Sequence, residues 1–383
     1  MVERSTIGER APQLGRGQYR TVLLADPLAA VDDDGQAESF RYTVRWGGKR
    51  PPSIAVPEAR LFDLPALEAA AALVHRAFPP TPQYAWPLLA ARAGAEVWVK
   101  HENHTPTGAF KVRGGLVYMD RLRRERPHVA GVVSATRGNH GQSLAYAGAR
   151  HGVPVTIVVP HGNSAEKNAA MRAQGAALVE HGADFDAARA HAAVLAVERG
   201  LEFAPSFAPD LVRGVATYAL EFLRAAPALD TLYVPIGLGS GICGCIMARD
   251  LLGLGTEIVG VQSTAAPAYA LSFAAGHVVT VDSADTRADG VAVRTPDADA
   301  LAIIRRGAAR IVTVTDEEVA AAIRAYWQDT HNLAEGAGAA PLAALLQERA
   351  RMAGKRVGLI LCGGNIDLAL FRDWVLAERP GAR

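Results

Sequence analysis

Lysine is scarce in this 383-residue chain: of 40 basic residues only Lys49, Lys100, Lys111, Lys167 and Lys355 are lysines, and the rest are arginine. Any chemistry that needs an amine therefore has few candidates. Cysteine is scarcer still. Cys243, Cys245 and Cys362 are an odd number, and the first two stand one residue apart, an unfavourable geometry for a mutual disulfide. That argues against a disulfide framework and fits a reducing, cytoplasmic setting. Charge of one sign is missing too: 40 basic and 39 acidic residues are interspersed for a net charge of +1, which provides no basic field for nucleic acid or an anionic membrane. The longest uncharged run, Ile258 to Val281, is broken by Gln262, Ser263, Thr264, Pro267 and His277 and does not read as a membrane span. The N-terminus, with Glu3, Arg4, Glu9 and Arg10, lacks the apolar core of a signal peptide. The partners that remain are small molecules and copies of the chain itself, as a homodimer or homotetramer.

What is present is ample core: 50% of residues are hydrophobic, enough at this length for two domains. Residues 1–55 carry an acidic Asp32-Asp33-Asp34-Gly35 turn and an alternating run from Phe40 to Trp46 that reads as an exposed strand in a hairpin, an accessory N-terminal extension. A helical pattern spans Leu64 to Phe78 and is ended by Pro79-Pro80-Thr81-Pro82. Short apolar strands then alternate with Ala-rich helices, at Val97–Val99, Gly131–Val133, Val155–Val159, Leu232–Val234, Ile258–Val261, Arg310–Val314 and Val357–Leu361. This is the pattern of parallel sheets covered on both faces. Thr315-Asp316-Glu317-Glu318 ahead of Val319 predicts a capping box. Residues 131–207 hold strand and helix units of their own, so they read as a small domain inserted between 56–130 and 208–383.

Four stretches just past strands carry chemistry, the place where ligands sit in such sheets. The first, His101-Glu102-Asn103-His104-Thr105-Pro106-Thr107-Gly108-Ala109-Phe110-Lys111-Val112-Arg113-Gly114-Gly115, sets Lys111 after a small apolar turn. A lysine desolvated beside Ala109 and Phe110 loses some of its preference for the charged form, as Schiff-base formation with an aldehyde cofactor requires. By itself the segment fits a solvated surface lysine equally well. The others are Ser134-Ala135-Thr136-Arg137-Gly138-Asn139-His140-Gly141-Gln142, Pro235-Ile236-Gly237-Leu238-Gly239-Ser240-Gly241 and Cys362-Gly363-Gly364-Asn365. In the third, glycines let backbone amides curl inward ahead of a helix, so a phosphate is held without a basic side chain. A dinucleotide loop fits less well, because Ile242 falls at the third glycine position.

Together and in this order, from about Phe78 to about Trp374, these motifs resemble the threonine dehydratase and serine racemase family, fold type II enzymes that use pyridoxal 5'-phosphate. The resemblance implies an α/β, tryptophan synthase β-like fold of two parallel-sheet domains with the active site between them. The large domain carries Lys111 and the phosphate loop, and the small domain is mobile. It implies cofactor contacts from Phe110, Lys111, Asn139, Gly237, Leu238, Gly239, Ser240, Gly241 and Cys362. Asn139 would face the 3'-oxygen, and Cys362 the pyridine nitrogen. Thr136, Arg137, Gly138, Asn139 and His140 would bind the amino acid carboxylate, with His140 shaping the loop. A neutral thiol at Cys362 makes a weaker electron sink than an aspartate would, which suits elimination from Cβ more than transamination.

Three departures stand out. Leu238 and Ser240 replace glycines of the phosphate loop, so Leu238 must point away while Ser240 can donate its hydroxyl. Arg137 stands where racemases of the family place a proton-donating serine. A guanidinium cannot shuttle that proton; it either reaches a polar or anionic group on the substrate or swings outward to a protein carboxylate. Gln262 and Ala268 stand where several relatives bind a divalent cation through acids, and His101 with His104 lacks a matched carboxylate, so neither tight divalent binding nor zinc is expected, while a monovalent ion on backbone carbonyls stays open. Gly290 and Glu335 lie in segments also similar to dehydratases, which would put them near the cofactor or its entry path; they read equally as a turn glycine and a helix-start carboxylate. No regulatory domain is expected after Arg383. The expected activity is a pyridoxal-phosphate-dependent ammonia-lyase turning L-threonine or L-serine into a 2-oxo acid and ammonia. The same fold also admits 3-hydroxyaspartate, phenylserine or 2,3-diaminopropionate as substrate, or a β-replacement synthase.

Overall fold

The computed structural model describes residues 61–377 and two short strands outside them. Those two, β1 (Thr21–Val22) and β2 (Tyr42–Thr43), pair antiparallel with Thr21 opposite Thr43. Tyr42–Thr43 falls inside the strand expected at Phe40–Trp46; the rest of that run and the Asp32–Gly35 turn lie outside the described residues. Contacts divide the chain into Met1–Ala59 and Arg60–Arg383.

In the second of these units, α1 (Leu64–His75) starts at Asp63, whose carboxylate accepts from the Ala66 amide, with Pro65 in its first turn. It stops at His75, short of the expected Phe78, because the amides of Arg76 and Ala77 bond back three residues and tighten the last turn. In chain order the strands that follow are β3 (Gln83–Ala85), β4 (Glu96–His101), β5 (Val132–Ala135), β6 (Val155–Val159), β7 (Ala177–Glu180), β8 (Glu202–Phe203), β9 (Thr231–Pro235), β10 (Glu257–Ser263), β11 (Ala308–Val314) and β12 (Arg356–Leu361). Between them run α2 (Pro87–Ala93), α3 (Lys111–Glu125), α4 (Asn139–His151), α5 (Ala165–Ala173), α6 (Phe185–Glu198), α7 (Pro209–Ala225), α8 (Ser240–Leu251), α9 (Ala268–Ala275), α10 (Ala298–Gly307), α11 (Asp316–Thr330) and α12 (Gly336–Gln347). Thr315 and Glu318 close the capping box that starts α11.

The strands form two sheets, one ordered β11-β10-β9-β12-β4-β3 and the other β7-β6-β5-β8. All pairings in them are parallel except β3 with β4, so the all-parallel expectation fails at one edge. The seven strands read from the sequence are all present. Those not anticipated, β3, β7 and β8, are short and mostly outside the core, and carry little apolar periodicity. β5 and β9 are buried along their whole length, as strands covered on both faces must be. Among the described residues no helix is long and apolar enough to cross a membrane.

Candidate active site

Lys111 is the first residue of α3, and a cross-braced turn delivers it there. Thr105 Oγ1 accepts from the Ala109 amide at 2.9 Å and donates to the Ala109 carbonyl at 2.8 Å. The Phe110 amide donates to the Cys362 carbonyl and the Gly364 amide to the Gly108 carbonyl, both at 2.9 Å, tying the lysine turn to the loop after β12. α3 is then held from both sides. A Cβ on Gly114 would come 2.8 Å from the Leu211 carbonyl of α7, and one on Gly115 would come 2.3 Å from Ser143 Oγ of α4. Only bare backbone lets the helices approach this closely, and Ser143 Oγ uses the approach to donate to the Lys111 carbonyl at 2.6 Å. Below, the buried Arg113 guanidinium donates to Glu102 Oε1 and Oε2 at 2.9 and 2.7 Å, and to Glu221 Oε1 and Oε2 at 2.6 and 3.0 Å. Lys100 Nζ completes this interior cluster by donating to Glu221 Oε2 at 2.6 Å.

The lysine amine points into a cavity of about 980 Å³ that residues from both sheets' loops line. Burial pushes its pKa down to about 8, against a weaker upward pull from Cys362. Its nearest partner is Ser240 Oγ, 3.1 Å from Nζ. Lys167 lines the same cavity, yet it is ion-paired with Asp289, and that attraction outweighs burial and raises its pKa. Of these two amines, Lys111 is the one that sheds its proton readily.

Facing it is the loop Gly237–Gly241 with the start of α8. Among the described residues the six amides from Gly237 to Ile242 donate to no protein acceptor, and the first helical bond runs from the Cys243 amide to the Gly239 carbonyl at 3.0 Å. Gly239 has φ +102°, and a Cβ on Gly237 would lie 2.4 Å from the Gly290 carbonyl, so side chains are excluded where the loop turns inward. Tyr269 Oη donates to the Leu238 carbonyl at 2.9 Å, which fixes that peptide unit. Free amides at the start of a twelve-residue helix form an anion cradle.

A second set of free amides lies at the start of α4. The Thr136 amide is taken by the Val158 carbonyl and the Gly138 amide by Thr136 Oγ1, which leaves Arg137, Asn139, His140 and Gly141. Of the residues expected to grip a carboxylate, Arg137, Asn139 and His140 thus keep free amides, and Gly141 adds one that was not expected. His140 is buried, and its pKa is pushed down to about 3, chiefly by burial and then by Lys111. It is a neutral ring. Arg137 is exposed at the cavity, with no carboxylate within 4 Å among the described residues, so the outward-pairing alternative is not what is seen. Cys362 lines the cavity, and its thiol is pushed far up by burial, reinforced by Glu335, so it stays protonated. All three cysteines are free and buried.

Asn139 engages two residues that the sequence reading had left aside or barely used. Its Nδ2 donates to Glu335 Oε1 and Oε2 at 2.9 and 3.1 Å, and its Oδ1 accepts from Asn365 Nδ2 at 2.8 Å. Away from the cavity, Gln262 Oε1 accepts from the Ala270 amide, His101 accepts from Trp86 Nε1, and His104 meets Asn332. Among the described residues no group of three His, Cys, Asp or Glu is placed to hold a metal ion.

Residues 74–363 match the model of the family described as "Pyridoxal-phosphate dependent enzyme". The chain belongs to the pyridoxal-phosphate-dependent enzymes. It is 40% identical to an L-threonine ammonia-lyase of Geobacter sulfurreducens over 279 residues, covering 72% of this chain and 69% of that one. It is 34% identical to an L-threo-3-hydroxyaspartate ammonia-lyase of Pseudomonas sp over 289 residues, covering 75% and 90%. The fold superposes on the processed form of threonine deaminase isoform 2 from Solanum lycopersicum with a TM-score of 0.75 at 28% identity, covering 82% of this chain and 94% of that one.

The residues present suit pyridoxal phosphate. The free amides of Gly237–Ile242 match its phosphate, the low-pKa amine of Lys111 matches its aldehyde, and the neutral Cys362 and the Asn139 amide are polar groups on the remaining cavity wall. Lys167, Asp289 and Asn365 were not singled out as site residues from the sequence. A lysine beside a helix start or a lone aspartate in a loop carries no local signal; only the fold brings them together.

Proposed function

We propose that this enzyme is an ammonia-lyase of the dehydratase type, converting a β-hydroxy amino acid, L-threonine or L-serine by default, to a 2-oxo acid and ammonia. The observation that carries this reading is the Lys111 amine, held near neutrality by burial and 3.1 Å from Ser240 Oγ, in a cavity whose thiol, Cys362, is protonated. When bound, the cofactor supplies an electron sink for the bonding pair at Cα. The chain's own residues do the rest. The amides of Arg137, Asn139, His140 and Gly141 orient the substrate carboxylate. The Lys111 amine takes the Cα proton, and Ser240 Oγ, in hydrogen-bond reach, holds the amine in line. A neutral Cys362 would not stabilise a long-lived carbanion as an aspartate would, so the β-hydroxyl departs after proton removal as water, the proton taken from Cα being returned to it, and the released enamine hydrolyses to 2-oxo acid and ammonia.

A second reading concerns the substrate's side chain. Arg137 stands at the cavity with no carboxylate partner among the described residues, which favours an anionic β-substituent as in 3-hydroxyaspartate. The Pseudomonas relative named for that activity supports it. Racemisation is disfavoured, since Arg137 offers no transferable proton. Residues 131–207 are read as a lobe that closes over the cavity. Free, buried cysteines support a cytoplasmic setting, and Tyr84, Leu88 and Trp327, each about half exposed, support self-assembly. The test is a panel of threonine, serine, 3-hydroxyaspartate, phenylserine and 2,3-diaminopropionate scored for 2-oxo acid and ammonia, with and without an added thiol. A thiol adduct in place of 2-oxo acid would point to a synthase, and no product from any of them would overturn the assignment.

A further inference from the structure

Glu335 is buried at the start of α12 with only 3% of its surface exposed, an unusual place for a carboxylate with no salt-bridge partner within 4 Å among the described residues. Its side chain does not cap its own helix. Both oxygens instead accept from Asn139 Nδ2 across the cavity, while Asn365 Nδ2, anchored to the Thr107 carbonyl at 2.8 Å, donates to Asn139 Oδ1. The Asn139 amide is thus gripped at both ends, by residues from α12 and from the loop after β12. Gly363 makes room for the grip: a Cβ there would lie 2.5 Å from Glu335 Oε1.

We propose that Glu335 is a positioning residue that, in its ionised form, fixes the Asn139 amide plane so that an Asn139 N–H is presented to the cofactor's 3'-oxygen. This rests on the reading of Asn139 as the group that faces that oxygen. Asn139 Nδ2 carries two hydrogens and can only donate, so an ionised Glu335 takes one of them between its two acceptor oxygens and leaves the other to face the 3'-oxygen. A protonated Glu335 keeps only one good acceptor oxygen and loses the charge that strengthens the bond, so the grip on the amide plane gives way. The groups that bear on Glu335 are Asp289, beside it in the 289–291 turn, Lys167 from α5, and the thiol of Cys362. Lys167 is already committed to Asp289, and Cys362 stays neutral. Burial, reinforced by Asp289, therefore dominates and raises the carboxyl to about 7, so the grip is made and unmade within the working pH range.

The test is the absorbance of the bound cofactor in the holoenzyme, titrated from pH 5.5 to 9 for the wild type, Glu335→Gln and Asn139→Ala, with circular dichroism to verify folding. The wild type is expected to interconvert two visible bands with a midpoint near pH 7. Glu335→Gln, of nearly the same shape, should lose that transition while staying folded, and Glu335→Asp should retain it with weaker cofactor retention on dialysis. Asn139→Ala should lose it as well. An unchanged midpoint in Glu335→Gln together with an altered one in Asn139→Ala overturns the role of Glu335 alone. Spectra and midpoint left unchanged by Asn139→Ala overturn the reading of Asn139, and the proposal with it. A wild type with no transition in this range also overturns the proposal.

Discussion

Arg137 is the side chain to which the proposed function assigns substrate choice. It is exposed at the cavity with no carboxylate within 4 Å among the described residues, so removing it deprives an anionic substrate of a charged partner and a neutral one of nothing comparable. A charged hydrogen bond contributes roughly 1.5–3 kcal/mol, so Arg137→Ala is expected to lower kcat/KM on 3-hydroxyaspartate about 10- to 100-fold more than on serine. Steady-state kinetics on both substrates checks this, and an equal loss on the two would sink it. Glu335 sets a different test. Its pKa in the fold, about 7, lies above the ordinary carboxyl value of 4.5, so the fold favours the neutral form. The resulting stabilisation is fully present below pH ~4.5 and is lost as pH rises through about 7, amounting to roughly 3 kcal/mol by pH 8. Glu335→Gln cannot ionise, so its stability relative to wild type should climb by that order between pH 5 and 8 in urea unfolding of the holoenzyme. A flat difference across that range would contradict the burial argument. With the climb observed, the position exchanges stability for an ionised carboxylate, as sites often do. Residues at this scale were unevenly legible. Lys111, Asn139 and Cys362 stand in motifs that follow strands, whereas Lys167 and Asp289 meet only because two separate segments converge.

α3 is the element on which the site hangs, and its sequence says more than a lysine motif. Gly114 and Gly115 weaken a helix by intrinsic preference, yet they face the α7 and α4 backbones so closely that any side chain would clash. Gly115→Val should therefore cost about 1–3 kcal/mol in urea unfolding and displace the Lys111 carbonyl from Ser143; a variant as stable as wild type would contradict this account of the packing. Arg113, two residues beyond the lysine, answers two buried carboxylates at once. Arg113→Leu would leave Glu102 with only the Thr81 hydroxyl as a side-chain partner among the described residues, and Glu221 with Lys100 and His75, with an expected loss of about 3–5 kcal/mol in the same measurement. Long apolar strands and the α11 capping box were legible because period and cap chemistry are local. β3, β7 and β8 were not, since three- or two-residue pairings and a half-exposed edge leave no period to read. The end of α1 was misplaced because the prolines mark where a helix cannot continue, while tighter backbone bonds at Arg76 and Ala77 stop it earlier.

At the scale of the whole molecule, two mainly parallel sheets put their carboxyl-end loops around one cavity, and the free amides at the start of α8, the Lys111 amine and the free amides at the start of α4 meet there although they lie far apart in sequence. The order of the four motifs along the chain made this arrangement legible; the bridges between the sheets' outer elements, such as Lys167 to Asp289 and Ser164 to Asp367 at 2.7 Å, did not show before the fold was known. The central claim is that Lys111 is the base of a lyase acting on β-hydroxy amino acids. It is tested most directly by 2-oxo acid and ammonia formation from the best substrate of the panel, compared between wild type and Lys111→Ala, both supplied with pyridoxal phosphate. Equimolar 2-oxo acid and ammonia from the wild type, with a loss of about 10²–10⁴-fold in kcat for the variant, is the result predicted for removal of a general base; a variant that forms the products at the wild-type rate would contradict the account.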